Sequence, residues 1–174
     1  MTQEREAGGR WLRTVADGGI DPLDQLAVRR WLRDEHGVPQ NSQWAIADAA
    51  ARAAGWSRPS VDEYTDSQYS GPKAALRPIF DHIHAIAIAL GDDVSVEGRS
   101  TYTPYVRSRQ FAAVAPATRT RVDLGLRYVE PPASGRLLPA RAPGQSTHKV
   151  SLETTAEVDA EVASLLRLAY EQNG

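Results

Sequence analysis

The 174-residue sequence predicts an α+β protein, with a helical hairpin module at the N-terminus and then a two-layer antiparallel sheet with two helices on one face. Three observations predict it. Apolar residues recur at helical spacing in stretches near 21–36, 76–90 and 154–172. Between 93 and 152 they fall instead in short alternating runs separated by turn residues. A polar stretch, SRPSVDEYTDSQYSG, divides the two patterns and reads as a linker, giving a module over 1–56, a linker over 57–70 and a sandwich domain over 71–174.

Residues 1–10 read as a frayed start, and RWLRTVA (10–16) as a weak helical piece. Asp21 is a natural N-cap, Pro22 suits the first helical position, and Leu23, Ala27, Val28, Trp31 and Leu32 form a stripe down one side. Gly37 supplies a left-handed stop with Pro39 after it. Asn41 or Ser42 then caps a second helix, QWAIADAAARAA, which ends at Gly55. After the linker, Leu76, Ile79, Phe80, Ile83, Ile86, Ala87 and Leu90 share a helical face, and Pro78 belongs in its first turn.

Strand candidates follow at DVSVEG (93–98), STYTPYV (100–106), RQFAAVAP (109–116) and RVDLGLRY (121–128). In the last, Val122, Leu124, Leu126 and Tyr128 share one face, and Arg121, Asp123, Gly125 and Arg127 the other, which is expected to be open to solvent or a partner. VEPPASGRLLPARAPGQ (129–145) is loop, and HKVSL (148–152) a further strand. Thr154 and Glu157 form a capping box for a closing helix with Val158, Val162, Leu165, Leu166 and Ala169 buried.

The absence of cysteine excludes disulfides, thiolate metal sites and cysteine nucleophiles. The charged N-terminus lacks the apolar core of a secretory leader, and AIAIAL is too short to cross a bilayer, so the expectation is a cytoplasmic protein with no membrane partner. Residues 91–150 carry nine basic residues against five acidic ones, net +4, between a −3 segment at 1–70 and a −4 segment at 151–174. That asymmetry is local and falls short of a nucleic-acid-binding excess.

The pair His82 and His84 in DHIHAIAIAL suggests a metal motif. On a helix, however, the two rings diverge by about 200°, so they do not share an ion. Asp81 and His84, three apart, are surface neighbours. His36 sits in a last helical turn, a favourable place for it, and His148 at a strand end. Trp11, Trp31, Trp44 and Trp56 all fall in the N-terminal module and are expected to form its core, with a docking surface as the alternative in a module so rich in tryptophan. The helical hairpin has a long connection and one arginine in its second helix, poor equipment for a DNA groove.

The candidate ligand-binding residues are Tyr102, Tyr105, Arg107, Arg109, Arg121 and Arg127, with Arg119 nearby. Arginine forks interleaved with aromatics suit phosphate, carboxylate or stacked bases. No phosphate loop, dinucleotide fingerprint, nucleophile elbow or zinc-protease motif occurs.

WLRDEHGVPQNSQWAIADAA resembles the short helical module of a widespread bacterial family of unknown function. The stretch from YSGPKAALRPIF to RVDLGL, with THKVSL and the closing helix, is similar to the C-terminal domain often fused to it, another domain of unknown function sometimes labelled a predicted transport protein. The order helix, sheet, helix also resembles the frataxin-like fold of small iron-handling and YdhG-type proteins. That likeness implies an acidic first helix for iron, and here the helix carries only Asp81 as an acid.

The leading functional expectation is a non-enzymatic binding or adaptor protein. It would need no cofactor and would present its Arg/Tyr sheet face to an anionic small molecule, a peptide or a nucleic acid, with a homodimer among the expected assemblies. The alternatives are a small-molecule enzyme on a carboxylate or phosphate substrate, with His84 or His148 as base, and an iron or metal chaperone.

Overall fold

The computed structural model describes residues 2–174, with side chains described from Gly8 onward, and the chain divides into two compact units at Arg58/Pro59. The first holds α1 (Thr2–Asp17), α2 (Gln25–His36) and α3 (Gln40–Ala53). α1 takes in the described part of the segment read as frayed as well as the weak helical piece. Its Val15 joins Val28 and Leu32 of α2, Val38, and Ala47 and Ala50 of α3 in one buried cluster. Alanines on α3 let the helices approach closely, because they bring no side chain that must be accommodated.

α2 starts three residues later than the sequence suggests. Asp21 closes a turn instead, accepting from Leu23 N–H at 2.9 Å, and Asp24 caps the helix through Ala27 N–H at 2.9 Å. Leu23 therefore falls outside the helix and is exposed. Gly37 adopts φ 60° and stops α2 as expected. α3 has Pro39 at its N-cap rather than Asn41 or Ser42, and no side chain caps it.

The second unit begins with a difference. Val61–Gln68, inside the segment read as linker, is a helix, α4. Its cause is a complete capping box: Ser60 Oγ accepts from Glu63 N–H, and Glu63 accepts from Ser60 N–H. A 3-10 stretch, Gly71–Leu76, leads into α5 (Arg77–Ile88), with Pro78 in its first turn. The sheet follows: β1 (Ser95–Val96), β2 (Thr103–Val106), β3 (Gln110–Pro116), β4 (Val122–Leu126), β5 (Leu138–Pro139) and β6 (His148–Leu152). It is antiparallel throughout, in the order β1-β2-β3-β4-β6-β5. The short edge strand β5 lies in the stretch read as loop. The Thr154–Glu157 box caps a 3-10 turn, and α6 (Ala160–Gln172) starts after it under its own cap, Asp159.

α5 and α6 cover one sheet face. Ile79, Phe80, Ile83, Val162, Leu165 and Leu166 pack with Tyr105, Ala112, Val114, Leu124, Leu126, Val150 and Leu152 in a single core. Phe111 joins that core although it neighbours Ala112 in the strand. The pairing shifts between Tyr105–Ala112 and Val106–Gln110, a β-bulge that leaves Phe111 unpaired and turns its ring inward, 5.6 Å from Tyr170.

The opposite face was expected to be open, and it is partly covered. Gly125, on that face, has no room for a side chain: a Cβ would meet Ser146 Oγ and come 2.9 Å from the Pro143 carbonyl. A Cβ on Gly144 (φ 61°) would lie 3.0 Å from that of Ala113. The Pro143–Ser146 segment thus straps across the middle of β3 and β4, seated on positions that carry almost no side chain. Gly125→Ala should therefore destabilise the protein by about 1–3 kcal/mol, read from urea unfolding. Gly135→Ala, where a Cβ meets nothing within 4 Å, should leave the midpoint in place.

Candidate functional site

The six residues singled out as ligand-binding do not form one site. Arg107 and Arg109 lie at the β2–β3 turn, and Arg127 reaches that same end of the sheet, its N–H bonded to Phe111 O. Arg121 directly precedes β4 at the other end, about 20 Å away at strand rise. Tyr105 faces the helices and is fully buried, and Tyr102 is half-buried ahead of β2.

Most of these groups are already occupied. Arg107 Nε donates to Asp93 at 2.7 Å, and its guanidinium lies 4.2 Å from the Tyr170 ring centroid. Tyr170 O–H donates to the other oxygen of Asp93 at 2.5 Å, and with Arg107 it holds that carboxyl below its usual range. Arg109 donates to Gln172 O at 3.2 Å and Arg127 to Gln145 Oε1 at 2.9 Å. Asp123 is buried on the strapped face and accepts from Arg121 Nε at 2.9 Å, Lys149 Nζ at 3.0 Å and Ser151 Oγ at 2.9 Å. The antiparallel register places Ser151 opposite Asp123 and Lys149 opposite Gly125. Arg121 and Asp123, two apart on one strand face, were legible as a pair. Lys149 and Ser151 needed the β4–β6 register, which single strands do not encode.

The histidines separate as the spacing requires. His82 is exposed, and His84 turns inward, its Nδ1 2.8 Å from Tyr105 O–H. Burial keeps the phenol protonated well above its ordinary range, so the contact joins a neutral hydroxyl to the imidazole, with the donor set by the ring's tautomer. Asp81 pairs with Arg77 at 2.9 Å rather than with His84. His36 is bracketed edge-on by Trp11 and Trp31, at 5.6 and 4.5 Å. Trp44, expected in the core, is exposed, and Trp56 is only partly buried. Among the described residues no group of three or more His, Asp or Glu is placed to hold a metal ion.

A different site emerges at the Arg119 end of the sheet. A cleft of about 360 Å³ is lined by Ser67, Gln68 and Ser70 at the end of α4, Pro72 and Lys73 of the 3-10 stretch, Ser100 and Thr101 before β2, and Pro116 and Arg119 at the β3–β4 turn. Four residues offer hydroxyls, two are cations, and no carboxylate or histidine lines it. Lys73 Nζ spends one donor on Pro116 O at 2.7 Å, which fixes its ammonium at the rim. Gln68 Nε2 donates to Arg99 O at 2.7 Å, anchoring α4 to the loop before β2. Arg119 makes no hydrogen bond or ion pair among the described residues. Arg119 was legible as a candidate; Ser67, Ser70 and Lys73 were not, because they come from a segment read as linker and from a helix approach, nor was Ser100, which heads a stretch read as a strand.

A family model described as Domain of unknown function (DUF5655) matches residues 65–173, more than half of the chain. The chain belongs to that family. No curated protein matches it, and neither does any solved structure. The DUF5655 stretch takes in the sheet, α5, α6 and every residue of the cleft. Among the described residues no helix is long and apolar enough to cross a membrane.

Two outcomes follow for the polar groups. Asp123→Ala leaves Lys149 and Arg121 without their shared carboxylate and should cost about 2–3 kcal/mol in chemical denaturation, against less than about 1 kcal/mol for the partly exposed Arg121→Ala. The His84 imidazole is held below its ordinary 6.5, chiefly because burial penalises the charged ring, with Asp81 and Asp62 opposing. The unfolded chain takes up that proton first. This contribution to stability is therefore complete above about pH 6.5 and is lost as pH falls toward the depressed native value. Unfolding free energy followed from about pH 7.5 to 5 should fall more steeply for the wild type than for His84→Gln.

Proposed function

We propose that the DUF5655 domain is a binding module for a small anion-bearing molecule, held at the Lys73/Arg119 cleft. The observation that carries this reading is the lining itself: two cations and four hydroxyls converge with no acidic side chain among them. Phosphate and carboxylate oxygens are matched by such a set, a lysine as point charge, an arginine as fork and hydroxyls as short-range donors. The cleft's volume lies at the small end of the range for small-molecule sites, which favours a compact ligand over a nucleic-acid strand. The lining serines and threonine have no histidine or carboxylate beside them to act as a general base, which supports binding rather than turnover. A cysteine-free chain also suits the reducing cytoplasm.

Binding in this cleft replaces the open Arg/Tyr face as the anion-recognition surface. Arg107, Arg121 and Arg127 then serve the fold through Asp93, Asp123 and Gln145.

The test is a thermal-shift series with inorganic phosphate, sulfate and citrate. The midpoint should rise with ligand concentration, reaching about 2.7 kcal/mol of added stability at a hundredfold excess over Kd. Arg119→Ala should leave the ligand-free midpoint unchanged, since its side chain is exposed and unpaired among the described residues, and should abolish the rise. An undiminished rise in that variant, or none in the wild type, would refute the reading.

A further inference from the structure

We propose that the first unit carries a second and separate site, a docking groove for a short acidic peptide that sets carboxylates beside an apolar side chain. The groove, of about 360 Å³, lies between α2 and the first turn of α3 and is lined chiefly by Leu26, Arg29, Arg30, Arg33, Gln40 and Trp44. The α2 residues are spaced three, one and three apart, so they share one helical face.

The groove is built for negative charge. No carboxylate lines it. Arg29 is held in place: its Nε donates to Gln25 O at 3.2 Å and its guanidinium stacks 3.5 Å from the Trp44 ring centroid, leaving its terminal nitrogens unbonded among the described residues. Arg30 is exposed and has no partner among the described residues. Arg33 has only the adjacent Asp34, at 2.7 and 3.1 Å, and both side chains are more than half exposed, a pair that solvent screens and an incoming carboxylate readily exchanges. α3 begins at Pro39 with no side-chain cap, so the partial positive charge of its first turn adds to the three arginines.

It is also built for an apolar residue. Leu26 is 49% and Trp44 52% exposed, large apolar groups left at the rim of a charged groove. A nucleobase would find only Trp44 to stack on, whereas a leucine or phenylalanine side chain can pack against both Leu26 and Trp44. Charge beyond the groove points the same way. Residues 1–58 carry eight arginines against eight Asp and Glu, net zero, with Asp34 immediately beside the groove. A long polyanion would run from the arginines onto a surface with no further attraction, but a segment a few residues long would not. Arginine clusters flanked by an aromatic recur where acidic motifs are read.

The experiment uses the full chain and fluorescence anisotropy. Three labelled probes are compared: a glutamate-rich peptide with two leucines one helical turn apart, the same peptide with glutamine for glutamate, and a single-stranded oligothymidylate of equal charge. The acidic peptide should bind about tenfold more tightly than the glutamine peptide. Arg30→Ala and Arg33→Ala, both at exposed positions, should each weaken it by about tenfold while the far-UV circular dichroism is unchanged. Trp44→Ala should weaken the leucine-bearing peptide more than a version with serine for leucine. Absence of acidic-peptide binding, equal binding by the arginine variants, or tighter binding of the oligothymidylate lost in those variants would each overturn the proposal. The last would make the groove a nucleic-acid surface. Because the groove and the Lys73/Arg119 cleft lie in different units, an Arg119→Ala control should bind peptide as the wild type does.

Discussion

Strand β4 is buried along its whole length on both faces, yet its sequence, VDLGL, is not the continuous apolar run such a strand normally shows. Val122, Leu124 and Leu126 serve the helix-covered face in the ordinary way. The opposite side holds Asp123 and Gly125, and each imposes a condition. A carboxylate out of water must be fully hydrogen-bonded, and Arg121, Lys149 and Ser151 supply that across two strands. A glycine in a central strand weakens it unless something uses the vacated space, and the Pro143–Ser146 strap does. The register of β6, the course of the strap and the sequestration of Arg121 follow from these two residues. A one-residue slip of β6 would send Lys149 and Ser151 to the wrong face and leave Asp123 uncompensated.

Arginine serves two distinct ends in this chain. Arg107, Arg121, Arg127 and Arg136 stitch the fold, each engaging a carboxylate or amide from a neighbouring position or loop, and Arg136 reaches both Asp159 and the Glu157 carbonyl beneath the start of α6. Arg30 and Arg119 are free of such duties among the described residues. Composition alone makes no distinction between the two classes. What separates them is whether the register or a neighbouring loop delivers an acid, and that is why a strand face dense in arginine turned out to be structural while the free cations sit at a turn and on a helix.

The layout of helices and strands was readable where periodicity is strong. The stripes of α2, α5 and α6 and the alternation of β4 appear in the chain as written. α4 was not readable from periodicity, because it is only two turns long and mostly polar, but its capping box, Ser60 and Glu63, was present and outweighs the polarity of VDEYTDSQ. The bulge that turns Phe111 inward carries no local signature, since it arises from pairing two strands of unequal count. For the candidate sites the limit was of the same kind. Arg119 and the α2 arginines are visible one at a time, but the cleft and the groove exist only once α4, the 3-10 stretch and the first turn of α3 are placed.

All four tryptophans, Trp11, Trp31, Trp44 and Trp56, fall in the first unit, and all six tyrosines fall in the second. The division amounts to a built-in pair of optical labels. Emission excited at the red edge of tryptophan absorption reports on the helical hairpin alone, while the ultraviolet difference signal of Tyr69, Tyr105 and Tyr128, all buried, follows the sheet. Coincident or separate loss of the two signals during denaturation would reveal whether the halves melt as one cooperative body or independently, with no label added and no residue changed.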